Sequence, residues 1–377
     1  MRASICDMMP IRDMVLTCPV QPLVNLRSIS RKLRRHILAS LDGWFRAIIL
    51  AGQAKRSIQR RLHEGLPAMS NCDVILAVWN GQNYLPAMLD SLLSQSTSGF
   101  NVLARDDGST DASVDILENY KPKFDGRLSV VTGEPTRSAT ANFAILMRKT
   151  KADYVLFADQ DDVWKPEKVE LTLRSLKQGE AKYGKATPIY FATDIAVVNK
   201  DLEVICPSYW KWKRLKPSLM GKLSQSLICV PIQGMASGIN RALLDLANPV
   251  AEKAISHDWW TQLIAAAMGK VICDPTVTAL YRVHGGNASI PKEVGLVPYL
   301  KLGLDTSFLR RGLGRRIEQA NALADALTGR MPPDKLKIIR RFTKLQSQGF
   351  VQRRWTLVSG NYLYHDLVRS VATFALM

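Results

Sequence analysis

Two groups of carboxylates stand where strand-like runs give out. Asp106-Asp107 follows the run 100–105, and Asp159, Asp161 and Asp162 follow the run 154–158. Carboxylates brought together repel one another and raise their own pKa values unless something positive compensates. A divalent cation does this, and Mg2+ or Mn2+ prefers oxygen ligands together with a diphosphate. The plain alternative is a pair of solvated acidic turns, because a D-x-D spacing alone is common. The sequence has no GxxxxGK[ST] loop and no GxGxxG after its first strand, which counts against ordinary P-loop and dinucleotide sites. It also has no CxxC…H zinc spacing or recognition-helix signature, so no specific nucleic-acid role is expected.

Strands and helices alternate around these acids. Residues 73–79 (DVILAVW) read as a buried strand, Asn80-Gly81 as its turn, and Leu85, Met88, Leu89, Leu92 and Leu93 as the apolar face of a helix. A second strand over 100–105 leads to a helix capped by Thr110 or Asp111 and running to about Tyr120. A strand over 128–132, a helix over 138–149 and a strand over 154–158 follow, with Pro166 in the first turn of the next helix. This alternation implies a largely parallel sheet with both faces covered, and ligands bind such sheets outside the carboxyl ends of the strands. After 189–193 the alternation loosens. The expectations there are a hairpin of 195–199 with 202–205, an exposed aromatic and basic loop at 209–216 (YWKWKRLK), and a return to the core over 227–237. Helices near 241–246 and 257–268, strands near 270–273 and 276–282, and a Gly-rich loop at His284-Gly285-Gly286-Asn287 complete the centre.

The 377 residues are 47% hydrophobic and 22% charged, proportions of an ordered globular protein rather than a disordered or disulfide-stapled one. The formal charge of +18 is unevenly spread: residues 1–70 hold 12 basic against 4 acidic residues and residues 301–377 hold 14 against 5, so the centre is nearly neutral. Between about Ser30 and His63, Leu33, Ile37, Leu41, Trp44, Phe45 and Ile48 recur at helical spacing among arginines. Such helices either pack on the body or lie on an anionic membrane surface. The last 80 residues also read as helical and basic. Six cysteines without close pairs suit a reducing compartment, and no run is apolar enough to span a membrane.

Five motifs, in order, carry a family resemblance: VILAVWNGQNYLPAMLDSLLSQ (74–95), DDGSTD (106–111), FADQDDVWKPEKVE (157–170), HDWW (257–260) and YRVHGGN (281–287). Over about 73–290 the chain resembles the inverting nucleotide-sugar glycosyltransferases of the large family two, and within it the rhamnosyltransferase-like branch. The resemblance implies an α/β GT-A fold, with a Rossmann-like, mostly parallel central sheet and basic helical N- and C-terminal extensions. The corresponding segments are a basic amphipathic extension (1–70), a catalytic domain (71–295) with a nucleotide-binding half (71–165) and an acceptor-binding half (166–295), and a basic helical region (296–377).

By that resemblance Trp79, Asn80 and Asp107 meet the nucleotide base and ribose, with Asp107 accepting from the base N3–H. Asp159 and Asp161 match the pair that grips ribose and metal-bound diphosphate. The doubled acid leaves the register between Asp161 and Asp162 open. His284 matches a position that assists metal or diphosphate binding; a loop-capping histidine is its other reading. Asp258 matches the general base at a helix start, where the helix dipole would also favour any acid. His257 is placed to orient Asp258 or touch the acceptor, and Trp259 and Trp260 either stack on a sugar or pack between helix and sheet. Gln160 replaces the small residue found inside many D-x-D pairs and agrees with the rhamnosyltransferase-like branch.

The reading is therefore an Mg2+- or Mn2+-dependent transferase of bacterial surface-polysaccharide assembly, at the cytoplasmic face of the inner membrane as a peripheral protein. Its expected donor is a nucleoside-diphosphate sugar, with dTDP-L-rhamnose first, and its acceptor a saccharide or lipid-linked saccharide. Transfer of another hexose or N-acetylhexosamine, and a non-catalytic polyanion- or membrane-binding protein of the same fold, are the alternatives.

Overall fold

Apolar residues of high strand propensity open the ordered part of the chain: Cys72–Val78 (β1) has Val74, Ile75 and Leu76 fully buried. The computed structural model describes residues 71–229, 232–284 and 306–364, with residues 370 and 374. The expected helices of 1–70 and the glycines after His284 lie outside the described residues. After β1 come Leu85–Leu93 (α1), Asn101–Asp106 (β2), Ser113–Tyr120 (α2), Leu128–Val131 (β3), Ala139–Lys149 (α3) and Tyr154–Asp159 (β4). Val163–Trp164 (β5), Lys168–Tyr183 (α4), Ile189–Val198 (β6), Val204–Cys206 (β7), Ser237–Asn240 (β8), Arg241–Ala247 (α5), His257–Met268 (α6) and Lys270–Arg282 (β9) follow.

Among the described residues the strands form one nine-stranded sheet in the order β3-β2-β1-β4-β8-β6-β9-β5, with β7 paired to β6. Strands β1 to β4 are parallel, and their register aligns Val78 with Asp106 and Ala77 with Asp159. That alignment brings the ends of β1, β2 and β4, and hence both acidic clusters, to one edge of the sheet.

The second half of the sheet departs from the largely parallel expectation. β8 fills the gap between β4 and β6 in the reverse direction and pairs antiparallel with both. β5 is antiparallel to β9, while β6 and β9 are parallel. The result is a mixed sheet flanked by helices, a GT-A-like arrangement whose first four strands keep the Rossmann-like order. Ile189–Val198 is a single fully buried strand, where the sequence suggested a strand and half of a hairpin; β7 supplies the other half. Lys270–Arg282 is likewise one strand. Its register with β6 shifts around Asp274 and Val277, beside Pro275, whose missing N–H interrupts the ladder and makes one strand read as two.

Three further expectations need correction. The segment after β7 is not an exposed loop: Tyr209–Trp212 is a helical turn capped by Ser208, and Trp210 is buried because its N–H and the Ser208 hydroxyl both donate to Asp194. Asp111 is not the N-cap of α2, which is Ala112, yet its Oδ1 accepts from the Ser113 N–H and hydroxyl and so holds the first turn. Pro166 precedes α4 rather than opening it.

The C-terminal helices Thr306–Ala326 (α7), Pro333–Thr343 (α8) and Phe350–Ser359 (α9) are not a detached extension. Leu313, Ile317, Leu323, Ile339, Phe342 and Leu357 join the same buried core as the sheet. Two polar ties reinforce this: the Ile255 N–H donates to Gln319 at 2.7 Å, and Gln225 Nε2 donates to the Asn361 carbonyl at 2.7 Å.

Candidate active site

The loops after β1 and β2 are sewn together before either can meet a ligand. Asn80, at φ 47°, takes the left-handed backbone that asparagine tolerates. Its N–H donates to Ser109 Oγ (2.7 Å) and its Oδ1 accepts from the Thr110 N–H (2.8 Å). The N–H groups of Gly81 and Gln82 donate to Ser113 Oγ and Asp111 Oδ2. Trp79, 58% exposed, is thereby presented on a fixed backbone. Gln160 fixes it further: its Oε1 accepts from the Trp79 N–H at 2.8 Å and its Nε2 donates to the Trp79 carbonyl at 2.7 Å. Gly81 leaves room for this clamp, since a Cβ there would stand 2.4 Å from Gln160 Oε1. Sequence reading marked Gln160 as a departure from small residues without seeing this role.

Asp107 behaves differently from the expectation that it reads the nucleotide base. Oδ1 accepts from Arg105 (2.7 Å) and the Thr136 N–H (2.7 Å), and Oδ2 from Thr136 Oγ1 (2.8 Å) and the Ser138 N–H (3.3 Å). These donors occupy the four lone-pair sites of a carboxylate. Burial raises its pKa, and the Thr136, Arg105 and Ser138 donors outweigh this and hold it below the ordinary carboxylate value. Asp107 therefore holds the segment of Thr136 and Ser138 in place. Asp106 is equally local, accepting from the N–H groups of Gly108 and Ser109.

The turn after β4 holds the other acids. Asp161 Oδ2 lies 2.8 Å from His284 Nε2, so the end of β9 delivers the histidine to the acidic turn. Tyr84, to which the sequence pattern assigns no role, lies against the His284 ring (centroids 4.6 Å apart) and under the Arg282 guanidinium (4.8 Å). Arg282 ties the turn down: its Nε donates to the Asp161 carbonyl and its backbone N–H to Asp162 Oδ1. Asp162 is fully buried and bound to the β9 backbone through Oδ1, so it supports the turn. Burial, then the charges of Asp161 and Asp159, push Asp162 well up. Lys168, equally buried, is pushed down to about 7 by burial, against the pull of Asp162. Burial and the charges of Asp161 and Asp258 push Asp159 up to about 8.

The His257 ring lies 5.3 Å from that of Phe157 on β4, and the residue after it is Asp258. It opens α6 with Oδ1 accepting from Ser256 Oγ (2.5 Å) and the Trp259 N–H (2.8 Å), and Oδ2 from the Gly234 N–H (3.0 Å). Oδ1 is filled and Oδ2 keeps a lone pair. Gly234 suits this close approach, since a Cβ would stand 3.1 Å from His257 Nε2 and 3.3 Å from Asp258 Cβ and press both by a few tenths of an ångström. His257 is buried, stacked on Phe143 (3.9 Å), and burial lowers its pKa against the opposing charge of Asp258, which favours the neutral ring.

The tryptophans fit their packing alternative. Trp260 is fully buried and donates to the Ala247 carbonyl; Trp259 is 6% exposed and donates to the Ser226 carbonyl. Indoles so enclosed have no free face for a sugar, and the acceptor role expected of them is withdrawn.

A divalent cation was expected at Asp161, Asp162 and His284. Among the described residues no three His, Cys, Asp or Glu side chains converge to hold one by themselves. Asp161 and His284, with Asp159 beside them, fit as a half-site: their oxygen and nitrogen donors suit Mg2+ or Mn2+, whose remaining positions commonly go to diphosphate and water.

Residues 73–245 match the family model described as glycosyl transferase family 2. That segment carries Trp79, Asp107 and Asp159–Asp162; Asp258 and His284 lie beyond it. The putative teichuronic acid biosynthesis glycosyltransferase TuaG of Bacillus subtilis is 33% identical over 105 residues, which cover 28% of this chain and 41% of TuaG. The UDP-Glc:alpha-D-GlcNAc-diphosphoundecaprenol beta-1,3-glucosyltransferase WfaP of Escherichia coli is 22% identical over 229 residues, 61% of this chain and 84% of WfaP. The mannosyltransferase PcManGT from Pyrobaculum calidifontis, solved with GDP-Man and Mn2+, aligns with a TM-score of 0.47 and 14% identity over 84% of this chain and 82% of that one. The chain spans less than half the length of the first two curated relatives it matches.

Proposed function

We propose that the family 2 segment, closed by α6 and the end of β9, is the donor half of an inverting nucleotide-sugar glycosyltransferase acting on saccharide or lipid-linked saccharide acceptors in surface-polysaccharide synthesis. The observation that carries this is geometric: Asp161 after β4 meets His284 after β9, and the start of α6, which bears Asp258, packs on β4 through His257 and Phe157. The nucleoside base is assigned to the exposed Trp79 and to Asn80, beside the loop that Asp107 holds. Asp159, Asp161 and His284 receive ribose and diphosphate. Asp161 and His284 would hold a divalent cation, which would supply positive charge against the departing diphosphate.

Asp258 Oδ2 is the proton acceptor. An acceptor hydroxyl approaches the anomeric carbon from the face opposite the diphosphate and passes its proton to Oδ2; the new C–O bond forms as the bond to the diphosphate breaks, inverting the anomeric configuration. Ser256 and Trp259 keep Asp258 aimed by filling Oδ1, and neutral His257 adds no competing charge.

The proposed donor is dTDP-L-rhamnose, supported by the FADQDDVW and HDWW motifs, and the proposed setting is the cytoplasmic face of the inner membrane. A glucosyl donor is the second reading, favoured by the match to WfaP over 61% of this chain. Release of nucleoside diphosphate from a panel of dTDP-, UDP- and GDP-sugars, with Mn2+ and with EDTA, tests both. Turnover of one donor, abolished by EDTA, is expected. Turnover of every donor alike, or full activity in EDTA, would contradict the reading.

A further inference from the structure

Helix α9 turns much of its apolar surface away from the protein. Thr356 and Leu357 anchor it to the core, while Phe350, Val351, Trp355 and Val358 are 69%, 78%, 69% and 51% exposed. At 3.6 residues per turn these four fall within an arc of about 140°, with Thr356 on the opposite side and Leu357 at its margin beside Phe350. Single exposed apolar residues are ordinary, but a contiguous patch with a polar rim marks an interaction surface.

The rim is positive. The Arg354 guanidinium lies 3.3 Å over the Phe350 ring, and Arg341 of α8 reaches Ser359 Oγ at the other end of α9. Lys337, Arg340 and Lys344 line a groove along α8 with Pro333 and Leu336. From Pro333 to Ser359 the chain has seven Lys and Arg and a single acid, Asp334. A second copy of the same face would set these cations against each other. A sheet of anionic headgroups attracts them, and the acyl boundary just beneath accepts Val351 and Val358, with the tryptophan at the depth its amphipathic ring favours.

We infer that α8 and α9 form a docking face for an anionic lipid bilayer, with α9 lying in the headgroup plane. This goes beyond the proposed reaction and holds whether or not the site transfers a sugar. Among the described residues no helix is long and apolar enough to cross a membrane, so attachment by this face is shallow.

Co-sedimentation of the full chain with vesicles of phosphatidylcholine, or of phosphatidylcholine with phosphatidylglycerol, tests it at low and high salt. Binding to the anionic vesicles only, weakened by salt, is expected. Val351→Asp with Trp355→Ser is expected to lower partitioning at least tenfold, as removal of this much apolar area requires. Lys337→Gln, Arg340→Gln and Lys344→Gln together are expected to lower it on the order of a hundredfold at low salt, at roughly fivefold per cation. All five side chains lie at the surface or in the groove, so unchanged circular dichroism should accompany both effects. No anionic-vesicle binding, or binding that neither variant alters, would overturn the inference. So would sedimentation of the wild type as a dimer that Val351→Asp with Trp355→Ser converts to monomer, which would assign the face to a second copy of the chain.

Discussion

Asp258→Asn is expected to lower kcat by about 10²- to 10⁴-fold, the usual contribution of a positioned general base, with donor affinity changed no more than a few-fold. The amide keeps the volume of the carboxylate but cannot take a proton at Oδ2. Its geometry is also awkward. Both carboxylate oxygens accept from backbone N–H groups, Trp259 on one side and Gly234 on the other, so the new NH₂ must face a donor whichever way the amide turns. That mismatch costs about 1–3 kcal/mol of stability, and a thermal melt separates it from the loss of turnover. Donor binding is the discriminating readout, because the residues assigned to the diphosphate come from β4 and β9 rather than α6. Unchanged kcat would remove Asp258 from the reaction.

Asp107→Ala is expected to destabilise the folded chain by about 3–5 kcal/mol, because it leaves the Arg105 guanidinium buried without its partner. Arg105 is 1% exposed and Asp107 4% exposed, so water replaces little of what is lost. Arg105 also donates to Asn142 and the Glu134 carbonyl, which keeps it from turning out to solvent. A fall in Tm of roughly 10 °C follows for a body of this size. The pH dependence has a definite sign. The folded-state pKa of Asp107 lies below its unfolded value, so its contribution is complete above the unfolded pKa of about 3.9 and is lost as pH falls through the folded value. Denaturant titrations between pH 6 and about pH 2 should therefore show a shallower acid limb in Asp107→Ala than in the wild type. Equal stability of the two proteins at neutral pH would show that the ion pair is not the tie described.

The first four strands could be read from the sequence because each is a short apolar run followed by an amphipathic helix, and local patterning governs both. β8 could not: Ser237–Asn240 has no strand signature, and its place between β4 and β6 is set by tertiary packing. The same competition hid Trp210, whose basic neighbours suggested a surface loop until Asp194 supplied partners for the turn. Within the site, Asp161 and His284 are paired in the sequence only by the family resemblance; the ends of β4 and β9 bring them to 2.8 Å. The part played by Asp107 was not legible there, because its donors Thr136 and Ser138 lie some thirty residues away in sequence and only the fold brings them in. Gly234 was invisible for the same reason, as its use depends on how closely α6 approaches. The enclosure of Trp259 and Trp260 turns on the carbonyls of Ser226 and Ala247, which no pattern in HDWW announces.

The central claim is that the acidic turn after β4, with His284, is a cation-assisted diphosphate site. Calorimetric binding of dTDP and UDP to the wild type and to Asp161→Ala, each with Mn2+ and with EDTA, tests it most directly and needs no acceptor. One nucleotide should bind the wild type in Mn2+, and EDTA or Asp161→Ala should weaken it by about 10- to 100-fold. Equal affinity in Mn2+ and EDTA, undisturbed by Asp161→Ala, would contradict it.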